Sequence, residues 1–192
     1  IRKTGPSHPL VVAECATHKS AFTLYPPGYA PYLRRPVQRL SPDGRHLALL
    51  DGDGQLSLWS LAEAREQPLG RAQHGSSFSP DGRRIAAFGE SAAQIWDVAN
   101  ARTVSTIPLV TTHLLFTPDG RTIVTAGNEI HLWQAETGRE LLNLGAYSPG
   151  GVNSVAVSPD GTRLAVGGGY RDEHQGVWVW LAPMVTAGRI PR

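Results

Sequence analysis

Ser79-Pro80-Asp81-Gly82, followed by the apolar run Arg84–Phe88 and then by Ile95-Trp96-Asp97, is the stretch that decides how this chain folds. Proline pre-sets φ for the first central position of a tight turn. Aspartate suits the second, and glycine takes the left-handed position that follows. Such a turn joins two antiparallel strands and adds a glycine bulge. The same tetrapeptide recurs as Ser41-Pro42-Asp43-Gly44, Thr117-Pro118-Asp119-Gly120 and Ser158-Pro159-Asp160-Gly161, at spacings of 38, 38 and 41 residues. A fixed period of this size marks a repeat architecture.

What flanks each turn reads as strand. Before it lie 37–40, 75–78, 113–116 and 152–157. After it lie 46–50, 84–88, 122–125 and 163–166. A third run carries tryptophan: 56–61 with Trp59, 93–98 with Trp96, 130–135 with Trp133, and 176–181 with Trp178 and Trp180. A weaker fourth run closes each unit at 65–69, 103–109, 140–144 and 184–190. No stretch keeps a 3.6-residue period for three turns, so the class is all-β. Each unit is a four-stranded antiparallel meander that cannot bury both faces alone. Radial stacking buries them and leaves only short edges.

The order of Ser-Pro-Asp-Gly, strand, then Ile95-Trp96-Asp97, Leu58-Trp59-Ser60, Leu132-Trp133-Gln134 or Trp178-Val179-Trp180 resembles the WD-repeat family. The resemblance implies a β-propeller of four-stranded antiparallel blades, about five here or part of a larger propeller. The expected blades span 1–36 (partial, opened by Thr4-Gly5-Pro6-Ser7), 37–70, 71–110, 111–146 and 147–192. It also implies a rigid protein-interaction scaffold rather than an enzyme. Family members often tie each blade through a Gly-His dipeptide, a second-strand Ser or Thr and a turn Asp, linked to the Trp. No Gly-His occupies that place here. Thr125 matches the hydroxyl position and Asp53 the turn acid, with Glu90, Asn128 and Asp172 only approximately placed. Weakly tied blades are the expectation.

Composition agrees with a globular chain: 41% apolar, 18% charged, net charge +2. That charge is too small to argue for nucleic acid. Residues 1–40 do carry six Lys or Arg against Glu14 alone. The arginine-rich basic set points to a GC-rich, bacterial source. The lone Cys15 excludes an internal disulfide and fits a reducing compartment, so a cytoplasmic chain is expected. No apolar run approaches the roughly 20 residues that span a bilayer. The first residues lack a signal-peptide pattern and an initiator Met, which is expected of a processed chain or a piece of a longer one.

Alternate residues of the first strand in each unit face a central channel. Leu40, Ser76, Phe78, Leu114, Val155 and Val157 are expected to pack between blades. Arg39, Ser77, Leu115 and Ala156 are expected to line the channel, and His74, Thr112 and Asn153 its rim. Candidate binding residues are therefore His74, His113 and Asn153 at the channel mouth. A basic cluster of Arg34, Arg35 and Arg39 suits an acidic peptide or phosphate. Tyr170 and Arg171 lie in a hairpin insertion, 167–174. The Tyr- and Pro-rich segment 25–32 reads as a ligand loop or as a polyproline-like connection.

Asp43, Asp81, Asp119 and Asp160 are turn residues, not catalytic carboxylates. No nucleophile elbow, phosphate loop or metal-ligand spacing occurs, so no catalytic residue, cofactor or metal is expected. The expected partner is a protein or an attached effector domain, with self-association through open blade edges, and neither nucleic acid nor membrane. Two other readings remain open: an exported propeller resembling the TolB-like group, and a propeller enzyme or lectin that takes a small ligand or glycan at the channel mouth.

Overall fold

The computed structural model describes residues 10–13, 20–24, 38–51, 53–109, 112–146, 151–168 and 176–181. All regular structure among them is β. The chain divides into two compact units, 1–72 and 73–192.

In the first unit, β1 (Leu10–Ala13) pairs antiparallel with β2 (Ser20–Leu24). A four-stranded meander follows: β3 (Gln38–Leu40), β4 (His46–Leu50), β5 (Gln55–Ser60) and β6 (Arg65–Arg71). The second unit holds two more four-stranded meanders. One is β7 (His74–Phe78), β8 (Arg84–Phe88), β9 (Ala93–Asp97) and β10 (Thr103–Ile107). The other is β11 (His113–Phe116), β12 (Thr122–Ala126), β13 (Glu129–Gln134) and β14 (Glu140–Ala146). A three-stranded sheet closes the description: β15 (Val152–Val157), β16 (Arg163–Gly168) and β17 (Gly176–Leu181). The run expected at 184–190 and the first repeat's turn lie outside the described residues.

Within the second unit, β11 lies beside both β7 and β15, so the first strands of successive sheets are neighbours. Side chains then alternate between two inter-sheet cores. Ala86, Phe88, Ala93, Ile95 and Ile107 of one sheet meet Leu114, Phe116, Ile123, Trp133 and Ala135 of the next. On the far side, Val124, Ala126, Ile130 and Leu132 meet Val152, Leu164 and Val166, with Trp180 partly buried against them. The second strand of each full sheet is covered on both faces. This is why β4, β8 and β12 are buried along four successive residues instead of alternating. A fully buried leucine or phenylalanine contributes about 1.5–3 kcal/mol, so these strands contribute on both faces.

In the first unit Leu47, Leu49, Trp59 and Leu61 form the core of the β3–β6 sheet. Leu40 corrects the sequence expectation. Phe78 and Phe116 hold the same repeat position and are buried, whereas Leu40 is 52% exposed and stands outside that core. Trp178 is 38% exposed. Trp59, Trp96 and Trp133 are buried.

The turns between third and fourth strands repeat as well. The Ala101 amide donates to the Asp97 carbonyl, and the Gly138 amide to the Gln134 carbonyl, at 2.9 and 2.8 Å. Gly138 has φ 70°, and Ala101 and Ala64 sit at φ 52° and 53° in the matching places. A left-handed alanine costs about 1–2 kcal/mol, partly offset by the entropy that glycine loses on folding. Ala101→Gly is therefore expected to stabilise the protein by about 0.5–1 kcal/mol. The check is an upward shift of the urea midpoint; a downward shift would contradict the assigned backbone geometry.

Candidate binding surface

Each Ser/Thr-Pro-Asp-Gly turn is built the same way. The Gly amide donates to the first residue's carbonyl at 2.8–2.9 Å, and all four glycines have φ between 68° and 70°. The hydroxyls of Ser41, Ser79 and Thr117 donate to the carboxylates of Asp43, Asp81 and Asp119 at 2.6 Å, and that of Ser158 to Asp160. The amide two residues after each acid donates to the same carboxylate oxygen at 3.0 Å. The sequence reading placed these acids in the turns; the structure adds that each is occupied in bracing its own loop.

Successive turns also touch within the second unit. A Cβ on Gly120 would lie 3.6 Å from Pro80 Cδ, and one on Gly161 would lie 3.9 Å from Pro118 Cδ. The proline of one turn thus packs on the glycine of the next.

The bracing has an electrostatic signature. The Ser41 hydroxyl and then the Arg45 amide hold the Asp43 carboxyl below its ordinary range. The Ser79 hydroxyl does the same for Asp81. Asp160, with Ser158 foremost and then Thr162, is lowered to about 2. A depressed carboxyl contributes stability above its unfolded pKa and loses it as pH falls through the folded one. The turns of Asp43, Asp81 and Asp160 are therefore expected to be intact above about pH 4 and to loosen on acidification, Asp160 yielding near its pKa of about 2. Carboxyl and amide NMR shifts checked against pH would read this directly. An Asp160 midpoint in the ordinary carboxylate range would refute it.

At the opposite end of the second unit, the starts of the first strands form a polar rim. His113, half-buried, reaches across to the next sheet, its Nε2 lying 3.0 Å from the Asn153 carbonyl oxygen. Its Nδ1 lies 2.9 Å from Thr112 Oγ1, which is also 3.2 Å from the Ala126 carbonyl. A carbonyl only accepts, so Nε2 carries a proton toward Asn153, while the Thr112 hydroxyl donates to the Ala126 carbonyl. Of the sequence candidates, the structure brings His113 and Asn153 together. His74 begins β7, but its side chain is outside the described residues, as are Arg34, Arg35, Tyr170 and Arg171. Arg39 is exposed on β3 of the first unit.

Sequence reasoning missed a second polar group. His131, with 12% of its side chain exposed, has Nδ1 2.8 Å from Glu140 Oε1 and Nε2 3.3 Å from Glu129 Oε2, and it stacks on Trp133. Asn143 Nδ2 also donates to Glu129, at 2.9 Å. The two carboxylates hold opposite ring nitrogens and do not converge. Among the described residues no group of three or more His, Cys, Asp or Glu is placed to hold a metal ion. The signal lay in the β13–β14 register, which sets Asn143 opposite His131 and Glu140 opposite Trp133. That register is irregular and could not be counted from sequence.

The blade ties differ from one sheet to the next. The Trp133 indole N–H donates to Thr125 Oγ1 at 2.8 Å, both groups buried. Cross-strand register puts Leu49 and Ala87 at the position of Thr125. Trp59 Nε1 is accordingly buried with no hydrogen-bond partner among the described residues. Asp53 is not the acid that braces its hairpin. Asp51, two residues earlier, is: its Oδ1 accepts the amides of Asp53 and Gln55 at 2.9 and 2.8 Å.

Among the described residues no helix is long and apolar enough to cross a membrane. A family model described as WD domain, G-beta repeat matches residues 138–180. An uncharacterized WD repeat-containing protein of Synechocystis sp. (strain ATCC 27184 / PCC 6803 / Kazusa) is 36% identical over 138 residues, covering 67% of this chain and 39% of that protein. Centriole proteome protein 16 of Chlamydomonas reinhardtii is 36% identical over 114 residues, 58% of this chain and 5% of that one. The chain thus spans well under half the length of either relative.

Solved structures share the fold, two among them as follows. Hydrazine synthase of Kuenenia stuttgartiensis matches with a TM-score of 0.64 at 19% identity, over 75% of this chain and 45% of its own. The Cps50 (Swd1) β-propeller domain of Myceliophteria thermophila matches with a TM-score of 0.60 at 15% identity, over 69% and 48%.

Proposed function

The chain belongs to the WD-repeat family of β-propeller proteins, and from that premise we propose that it is a non-catalytic recognition platform, a bacterial scaffold that binds a protein partner or serves an attached effector domain. One observation carries the reading: the four repeated turns spend their acids on their own backbones. Asp43, Asp81, Asp119 and Asp160 each accept a hydroxyl and an amide within the loop. A carboxylate held in this way by its own loop is poorly placed to act as a general acid or base. What it supplies is rigidity, and a rigid surface binds without losing loop entropy.

On this reading the rim residues His113 and Asn153 are contact residues, and His74 would extend the same rim. The likeness to hydrazine synthase extends to the fold alone and brings no chemistry with it. Affinity purification from the native cells, with mass spectrometry of what is recovered, tests the proposal. A stoichiometric protein, or peptides from a longer parent chain, is the expected result. A polypeptide of this length recovered without a partner would overturn the scaffold reading and direct attention to small ligands at the rim.

A further inference from the structure

The chain carries six Asp-Gly pairs: Asp43-Gly44, Asp51-Gly52, Asp53-Gly54, Asp81-Gly82, Asp119-Gly120 and Asp160-Gly161. Five of the six carboxylates are engaged by their own loops: Asp43, Asp81, Asp119 and Asp160 each accept a hydroxyl and an amide, and Asp51 accepts two amides. Asp53 differs. It is exposed, and among the described residues no hydrogen bond or ion pair reaches its carboxylate. The next amide is held more loosely too. Gly54 donates to the Asp51 carbonyl at 3.3 Å, against 2.8–2.9 Å for the glycines of the four Pro-Asp-Gly turns. The carbonyl that joins Asp53 to Gly54 is firmly held. Arg71, opposite Gln55 across the β5–β6 pair, donates to it from Nη2 at 2.9 Å.

We propose that Asp53-Gly54 is a self-modification site, at which the chain forms a succinimide and then isoaspartate, with Arg71 assisting both steps. In the first step the Gly54 amide nitrogen bonds to Cγ of the neutral Asp53 carboxyl. The Cγ–OH bond breaks, and the hydroxyl leaves with the amide proton as water. In the second step one water opens the five-membered ring at either carbonyl. Opening at the original main-chain carbonyl routes the backbone through Cβ and leaves an α-carboxylate; opening at Cγ restores aspartate. Water is the sole co-reactant, and the composition of the chain is unchanged. Glycine suits the attack because no Cβ crowds its nitrogen. A guanidinium is always charged and only donates. On the Asp53 carbonyl it draws electrons from the Gly54 amide and makes that nitrogen easier to deprotonate. In the ring, the same oxygen takes up the charge that develops when water attacks there, so Arg71 favours the isoaspartyl outcome. The α-carboxylate so formed then gains a charge-assisted bond to Arg71. The braced acids must first give up their hydrogen bonds. Asp43, Asp81 and Asp160 are also held below the ordinary carboxyl range, which depletes the neutral form that reacts.

Ageing the purified chain in warm, mildly acidic buffer, followed by peptide mapping with mass spectrometry, tests this. An isoaspartyl peptide has the mass of its parent but separates from it, and its altered bond resists an aspartate-specific protease. Isoaspartate at 53 should exceed that at each braced acid by about tenfold or more, since breaking even one hydrogen bond to a carboxylate adds that much to the barrier. In urea, where the braces are gone, all the Asp-Gly pairs should react at similar rates. Arg71→Gln, at an exposed position, should lower the isoaspartyl yield at 53 severalfold in the folded chain. Isoaspartate spread evenly over the pairs of the folded chain overturns the proposal. So does a yield at 53 that Arg71→Gln leaves unchanged, or a preference for 53 that persists in urea and so belongs to the local sequence.

Discussion

Replacing Gly138 with alanine is expected to cost about 3 kcal/mol or more, the range reserved for substitutions that break backbone packing. The added Cβ would meet the Thr106 carbonyl oxygen at 2.2 Å and the Thr106 carbonyl carbon at 3.0 Å. Neither atom belongs to a flexible side chain. Thr106 lies on β10 of the preceding sheet, held there by antiparallel pairing to Gln94. The next residue along, Ser105, is tied across the same seam by its hydroxyl, which donates to the Ala135 carbonyl at 2.6 Å. Relief of the clash would open this seam between the sheets. The left-handed φ adds a further 1–2 kcal/mol or so.

The comparison within the chain sharpens the expectation. Ala101 occupies the matching turn position and tolerates its Cβ, so the effect at 138 comes chiefly from the approach of Thr106 and not from the turn alone. Urea unfolding of the parent, Gly138→Ala and Ala101→Gly proteins should give opposite shifts from the same turn position. A Gly138→Ala loss no larger than the left-handed penalty would show that the seam is looser than described.

Thr125→Val, nearly isosteric, is expected to cost about 1–3 kcal/mol, because it removes the acceptor and leaves the buried Trp133 N–H unpaired. Shape and apolar packing hardly change, so the loss reads the hydrogen bond rather than a cavity. Thr125 is fully buried and water cannot replace the hydroxyl easily. Thr125→Ser, which restores the acceptor, should recover part of the loss, and a hydrogen bond without net worth would leave Thr125→Val at parent stability. The chain supplies its own reference in Trp59, whose indole N–H already lacks a partner beside Leu49. One sheet therefore bears a polar cost that another has removed, and the ties between strands are uneven rather than uniformly weak.

Much of this was legible in the sequence. The four turns follow from Pro, Asp and Gly at fixed offsets, because each residue's own φ preference and side-chain reach make the turn with no help from afar. The second strands followed from their continuous apolar runs, and the place of Trp59, Trp96 and Trp133 on the third strands from the period. Asp53 was read as the bracing acid in place of Asp51, because a two-residue offset within the hairpin loop leaves no mark in the spacing. Leu40 was misread because the repeat position says which face a side chain occupies, not how far cover reaches along it: Leu47 and Trp59, in the same cross-strand row, are buried.

Local chemistry was thus determined by the sequence itself: the all-β class, the repeat of about 38 residues, the turns and the acids that brace them. Tertiary structure alone decided the pairing of His113 with Asn153, the clamp of Glu129 and Glu140 on His131 and the close approach of Thr106 to Gly138. Each of these depends on groups brought together from different strands or sheets. Their separation is set by packing and register, quantities that no residue carries by itself.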